Sequence, residues 1–203
     1  MLEPSIGSVD INILNLTKAH LIGEGRDRLC YQHPDIYDSC VKVAKTSEKQ
    51  TRRERCYFKY LYFQKKDCRY LAEYQSDCQT DRGPGAMFRL IRDFNGSISK
   101  TLTQCMLDDE IKEDELAILS KNLKKYLFEN AICVRDLSPN NVVVQKNEKS
   151  NELIIIDGVS NASIVPFAVF FTFWVRIHLE KSWNSYELKV KKIRKNKRNA
   201  KNN

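Results

Sequence analysis

The segment from Ala131 to Gly158 constrains the fold of this chain more than any other. It reads AICVRDLSPNNVVV, then a polar stretch QKNEKSN, then ELIIIDG. β-Branched residues on both sides of a polar turn predict a hairpin. Asp136 and Asn141 precede its first strand, five residues apart across a loop held by Pro139, and Asp157 ends its second strand. Pairing the strands brings two carboxylates and an amide to one rim, and such hard oxygen ligands suit Mg²⁺. The plainer reading makes Asp136 and Asn141 turn residues that hydrogen-bond the local backbone, and Asp157-Gly158 a strand-ending turn.

Upstream, residues 10–31 alternate apolar and polar around Gly23 and Gly25, which predicts a strand, a glycine turn and a second strand. In SCVKVAK, Val41 and Val43 fall on one face and Cys40, Lys42 and Ala44 on the other. Lys42 therefore has small or apolar neighbours. Residues 46–64 change to a helical texture, with Tyr57, Tyr60 and Leu61 beside Arg52, Arg53, Glu54 and Arg55. Residues 70–76 and 86–93 predict a strand pair joined by TDRGPG, and NGSIS a linker. Residues 108–130 predict a helix, with an acidic cluster at its start and Leu116, Leu119, Leu123 and Leu127 at steps of three and four. The expected fold class is α+β. A small five-stranded lobe with one helix occupies about residues 10–95, and a reduced, mainly helical lobe about residues 96–188. Both belong to one folding unit, 1–188, because 203 residues hardly allow two independent domains.

Phosphoryl transfer from ATP needs oxygen ligands for Mg²⁺, a cation on the phosphates and a carboxylate to orient the attacking hydroxyl. The chain holds all three types in order, and at these positions it resembles the protein kinases. VRDLSPNN is similar to their catalytic loop H-R-D-x-x-x-x-N, IIIDG to the strand that delivers the metal-binding Asp, SCVK to V-A-I-K, and IGEG to the start of the glycine-rich loop. The resemblance implies Asp136 as catalytic carboxylate, Asn141 and Asp157 as metal ligands, Lys42 as phosphate cation, Glu54 as its helix partner, and Gly23 and Gly25 over the nucleotide. More narrowly, GRDRLCYQHPDIYDSCVKVAK, RRERCYFKYL, RDLSPNNVVV and IIIDGV resemble the bacterial YrbL family, small kinase-like proteins of the PhoP regulatory network, over about residues 15–190. Three positions depart from the kinase pattern. Val134 stands where the loop-bracing His is expected, Gly158 where a Phe is, and Ser138 where Ser/Thr kinases put a phosphate-contacting Lys, although D-L-S-x-x-N is similar to the atypical Rio-type kinases. With 46 residues after Asp157, a full peptide-docking platform is not expected.

Bland readings accompany these roles. Lys42 could lay its stem along the core and send its ammonium to water. Glu54 could pair with neighbouring arginines on a solvated face, and Glu48 is a rival partner for Lys42. Two glycines make any tight turn. His33 reads as a turn residue before Pro34, and the seven cysteines as reduced thiols in a chain whose start lacks a secretory signal, giving an expected cytoplasmic location.

The formal charge of +8 is uneven, since residues 1–175 carry 24 Lys/Arg against 24 Asp/Glu and residues 176–203 carry 10 against 2. A basic, disordered tail is expected over 189–203. The run ASIVPFAVFFTFWV, 14 residues, is short of a membrane span and reads as a large-lobe helix. Three functions compete. The first is a phosphotransferase binding ATP and Mg²⁺. The second is a catalytically weak or inactive kinase-like regulatory module that acts by binding a protein partner. The third is an adaptor whose basic tail contacts an anionic membrane surface or, without a base-reading motif, nucleic acid.

Overall fold

The computed structural model describes residues 13–160 and 172–201, so most of the apolar run at 162–175 lies outside the described residues. The strands of the first half are β1 (Ile13–Leu14), β2 (Leu21–Glu24), β3 (Arg28–Gln32), β4 (Ser39–Ala44), β5 (Tyr74–Thr80) and β6 (Gly83–Arg89). They form one sheet in the order β1-β5-β6-β4-β3-β2, antiparallel except where β1 pairs with β5. The sheet has six strands instead of the expected five, because the alternating stretch before Gly23 breaks into β1 and β2 around a turn at 17–19.

Both faces of β4 are covered. Val41 and Val43 pack with Leu16 and Tyr31, while Cys40 joins the main core with Ala86 and Phe88. The β5–β6 connection falls at Asp81-Arg82, tighter than TDRGPG suggests, so that Pro84 lies inside β6 opposite Gln79. Its missing N–H is harmless there, since β4 pairing on the other side stops at Gly85.

Helix α1 (Lys49–Phe63) buries Thr51, Glu54, Tyr57, Phe58 and Leu61, a stripe at three- and four-residue steps. His33 works as a turn residue: its Nδ1 accepts from the backbone N–H of Asp35 and Ile36 at 3.1 and 3.0 Å.

The second half begins with a short helix, α2 (Leu102–Leu107), whose N-cap Thr101 accepts from the Gln104 N–H. A helix this short cannot display a helical period, which is why the pattern does not announce it. The acidic cluster at 108–110 lies between helices and not at a helix start: Asp108 and Glu110 both accept from Lys100. Helix α3 (Glu113–Asn130) opens on Glu113, Asp114 and Glu115 and buries Leu116, Leu119, Leu123, Tyr126 and Leu127.

The expected hairpin forms as β7 (Val142–Lys146) against β8 (Asn151–Ile155). Helix α4 (Thr172–Lys201) closes the lobe. Residues 189–201, expected as a disordered tail, are therefore its last turns. Val190 is buried, Lys197 donates to the Met106 carbonyl and pairs with Asp109, and Arg194 and Arg198 pair with Glu113. Acidic residues spread over 109–113 give the basic helix a surface to dock on. Among the described residues no helix is long and apolar enough to cross a membrane.

Candidate functional site

The loop from Arg135 to Asn141 is held from several sides. Val134 bridges to Val159, the Arg135 N–H donates to the Gly158 carbonyl, and the Asn141 N–H to that of Ser138. Pro139 is buried and accepts from the Thr103 N–H. Val134 is buried where a bracing histidine was expected, and the brace comes from α4: the Ser182 hydroxyl donates to the Val134 carbonyl at 3.0 Å. In the loop itself, the Asn141 amide nitrogen donates to the Asp136 carbonyl at 2.9 Å and to its Oδ2 at 3.2 Å. The amide oxygen is thus the atom that Asn141 can offer a cation. Lys189 Nζ stands 3.3 Å from Asp136 Oδ1.

Asp157 follows β8, and the strand pairing carries it to the same rim. The Ile156 N–H donates to the Asn141 carbonyl at 2.9 Å. Gly158 then turns with φ +80°, and a Cβ there would meet the Asp136 carbonyl oxygen at 2.8 Å and its carbon and nitrogen at 3.3 Å. The glycine that replaces the expected phenylalanine is what lets the Asp157 turn lie on the backbone of Asp136. A Gly158→Ala protein is accordingly expected to lose about 3 kcal/mol of stability, from left-handed strain plus a backbone clash. A urea melt checks it, and a loss below about 0.5 kcal/mol would mean that the two backbones are not in contact.

Above this rim lie the sheet and α1. Lys42, 7% exposed, donates to the Ile156 carbonyl at 2.6 Å and lies 4.2 Å from the centre of the Phe88 ring. It does not snorkel to water. Glu54 is 1% exposed, but its ion-pair partner is Arg28, not Lys42. The expected Lys42–Glu54 pair is replaced because β3 delivers a longer, planar cation between the two acids: Arg28 pairs with Glu54 through Nη1 and with Asp157 through Nη2. Asp157 Oδ1 also accepts from Gln50 at 2.9 Å and from the Gly158 N–H, which in turn reaches Glu54 Oε1 at 3.0 Å. Glu48, the rival partner, is exposed at the start of α1.

The electrostatics follow from this packing. Burial, helped by the Asp157 charge, pushes Glu54 up to about 7 against the pull of Lys42 and Arg28. For Asp157, burial also works upward, but Lys42, Arg28 and its hydrogen bonds hold it well below the usual carboxylate range. Arg28 stays charged, because the two acids outweigh its own burial.

Gly23, Gly25, Lys42, Glu54, Asp136, Asn141 and Asp157 all line one cleft of about 1030 Å³. A Cβ on Gly23 would meet only Cys30 at 3.9 Å, and one on Gly25 the Arg28 carbonyl at 3.5 Å. The protein's own packing does not require either glycine, so their bare backbone leaves the cleft roof open. The Gly25 N–H itself is spent on the Arg28 carbonyl.

Arg28, Gln50, Ser182 and Lys189 join the site without having been expected there. Only Arg28 leaves a signal in the sequence: it occupies the third position of G-x-G-x-x-G, where the spacing calls for glycine.

The sequence model of the PhoP regulatory network protein YrbL family matches residues 14–191. The chain is 29% identical over 183 residues to protein YrbL of Escherichia coli (strain K12), covering 86% of each chain, and has the same identity and coverage with the Shigella flexneri protein. Among solved structures, the kinase domain of Mycobacterium tuberculosis PknI matches with 18% identity and a TM-score of 0.40, over 70% of this chain and 59% of that one. The chain thus spans about three-fifths of that domain.

Proposed function

The chain belongs to the YrbL family of PhoP regulatory network proteins, and we propose that it binds ATP with Mg²⁺ in the cleft between its lobes and passes the terminal phosphoryl group to an acceptor in a bacterial regulatory pathway. One observation carries the reading: Asp136, Asn141 and Asp157 open on a single cleft beside a buried lysine. The cleft volume, about 1030 Å³, is ample for a nucleotide, since small-molecule sites run from roughly 300 to 1,000 Å³. Two carboxylates and an amide fit a hard cation.

In this reading Asp157 and Asn141 hold the metal, and Lys42 and Arg28 face the phosphates. Asp136 orients the acceptor hydroxyl and takes its proton. The bound Mg²⁺ supplies charge neutralisation on the phosphate oxygens.

A second reading rests on that same contact. Asp157 Oδ1 is held internally by Arg28, Gln50 and the Gly158 N–H, as suits a module that keeps the kinase-like fold and works through a protein partner.

Titration with ATP and Mg²⁺, read as thermal stability, separates the two. Ligand at 100 times its Kd adds about 2.7 kcal/mol, or roughly 5–10 °C for a chain of this size. Asp157→Asn is expected to remove the magnesium-dependent part of the shift, while Asp136→Asn keeps the shift and blocks transfer. A flat response in the unmodified protein ends the nucleotide reading in favour of the second.

A further inference from the structure

Between Asp136 and Asn141 the loop reads Leu-Ser-Pro-Asn and holds no cation. An acceptor hydroxyl oriented by Asp136 would there have to approach an anionic phosphoryl group beside an anionic carboxylate. The structure brings an ammonium beside Asp136 from 53 residues downstream, with Lys189 Nζ 3.3 Å from Asp136 Oδ1. The pair is open to water, with side-chain exposures of 42% and 64%, and an exposed pair of this kind adds little to stability. The helix that carries Lys189 is nevertheless firmly seated. Ser182, Tyr186 and Lys189 follow one another at four- and three-residue steps and so share a face of α4. Ser182 bonds the Val134 carbonyl two residues before Asp136, and Tyr186 and Val190 are buried. Further along, Lys197 ties the helix to α2 through the Met106 carbonyl at 2.6 Å.

We propose that Lys189 is a catalytic residue of the transfer step, with its ammonium contacting the terminal phosphate beside Asp136. The inference rests on the phosphotransferase reading above. The acceptor oxygen forms a bond to the terminal phosphorus while the bond from that phosphorus to the bridging oxygen breaks. The electron pair leaves with ADP. The hydroxyl proton passes to Asp136 and from there to water. Lys189 neutralises charge on the transferred group and keeps the Asp136 carboxylate from repelling it.

The test is calorimetric titration of ATP·Mg and of ADP·Mg into the unmodified protein, Lys189→Ala, Lys189→Arg and the exposed neighbour Lys191→Ala, followed by the transfer rate of each. Lys189→Ala should weaken ATP·Mg about tenfold, as expected for one charge-assisted contact, and leave ADP·Mg within about twofold. It should also slow transfer roughly 100-fold. Lys189→Arg should restore most of the preference for ATP, and Lys191→Ala should change neither quantity. If the unmodified protein transfers phosphate and Lys189→Ala does so equally well with the same ATP-over-ADP preference, the inference falls and the phosphotransferase reading stands. Faster transfer by Lys189→Ala would make the lysine a clamp on Asp136 and overturn the inference. An unmodified protein that binds neither nucleotide ends both.

Discussion

Arg28→Met is expected to lower the unfolding free energy by about 3–5 kcal/mol at pH 8, the range seen when one partner of a buried ion pair is removed. Arg28 is 5% exposed and joins two acids, the buried Glu54 of α1 and the partly exposed Asp157 just past β8. Methionine keeps much of the stem volume, so the loss reports the stranded charges more than a cavity. The effect depends on pH. Burial raises the folded value of Glu54 to about 7 from an ordinary 4.5, so between those two values its folded form holds a proton that its unfolded form has lost. Stability from this group is complete below about 4.5 and is lost as the pH climbs to about 7. Removing the cation pushes Glu54 higher still, and a protonated Glu54 tolerates the missing arginine. The loss at pH 5 should therefore be clearly smaller than at pH 8, and adding Glu54→Gln should recover part of it. Melts at both pH values decide this: a midpoint drop of roughly 8–16 °C at pH 8 is expected for about 4 kcal/mol. A change below about 1 kcal/mol at both values would show that the triad does not hold the lobes together.

The second large effect is expected at Trp183. Its ring is 2% exposed and lies with its centre 4.9 Å from that of Tyr186, and its Nε1 donates to Glu187 at 2.7 Å. Lys124 of α3 lies over the same ring at 5.7 Å. Trp183→Ala deletes an aromatic anchor between α4 and the main core, and such truncations remove about 3–5 kcal/mol. Hydrogen exchange should show amide protection through α4 in the unmodified protein and its loss past about residue 186 in the variant. If α4 were a loosely attached basic extension, the substitution would leave the melt within about 1 kcal/mol and those amides would exchange freely in both proteins.

Individual elements show why some features are legible in the chain. Leu116, Leu119, Leu123 and Leu127 repeat at helical spacing, and all four are buried in α3. The hairpin flanked by Asn141 and Asp157 is written in β-branched residues around a polar turn, and β7 and β8 pair as that pattern requires. Glu54 is legible in a way the charge pattern conceals. It stands three and four residues before Tyr57 and Phe58 and seven before Leu61, on their buried stripe, whereas Arg52 and Arg53 fall outside it. The last turns of α4 look disordered in the sequence because lysines and asparagines carry no apolar period there. What seats them is the acidic surface at Asp109 and Glu113, on another part of the fold.

Local pattern alone, which is encoded in neighbours a few residues apart, determined that a lysine would lie on a buried strand, that a glutamate would follow on a helix, and that two acids and an amide would flank a hairpin. The choice of partner was left to the tertiary structure. Whether Glu54 meets Lys42 or Arg28, and whether a cation of α4 stands beside Asp136, depends on contacts between residues 26 and 53 positions apart. Ion pairs of that kind have no period in the chain: Glu54 meets the cation that the packed core carries within reach of a carboxylate that burial forbids to stand alone, and Asp136, open to water, meets the lysine that α4 brings alongside.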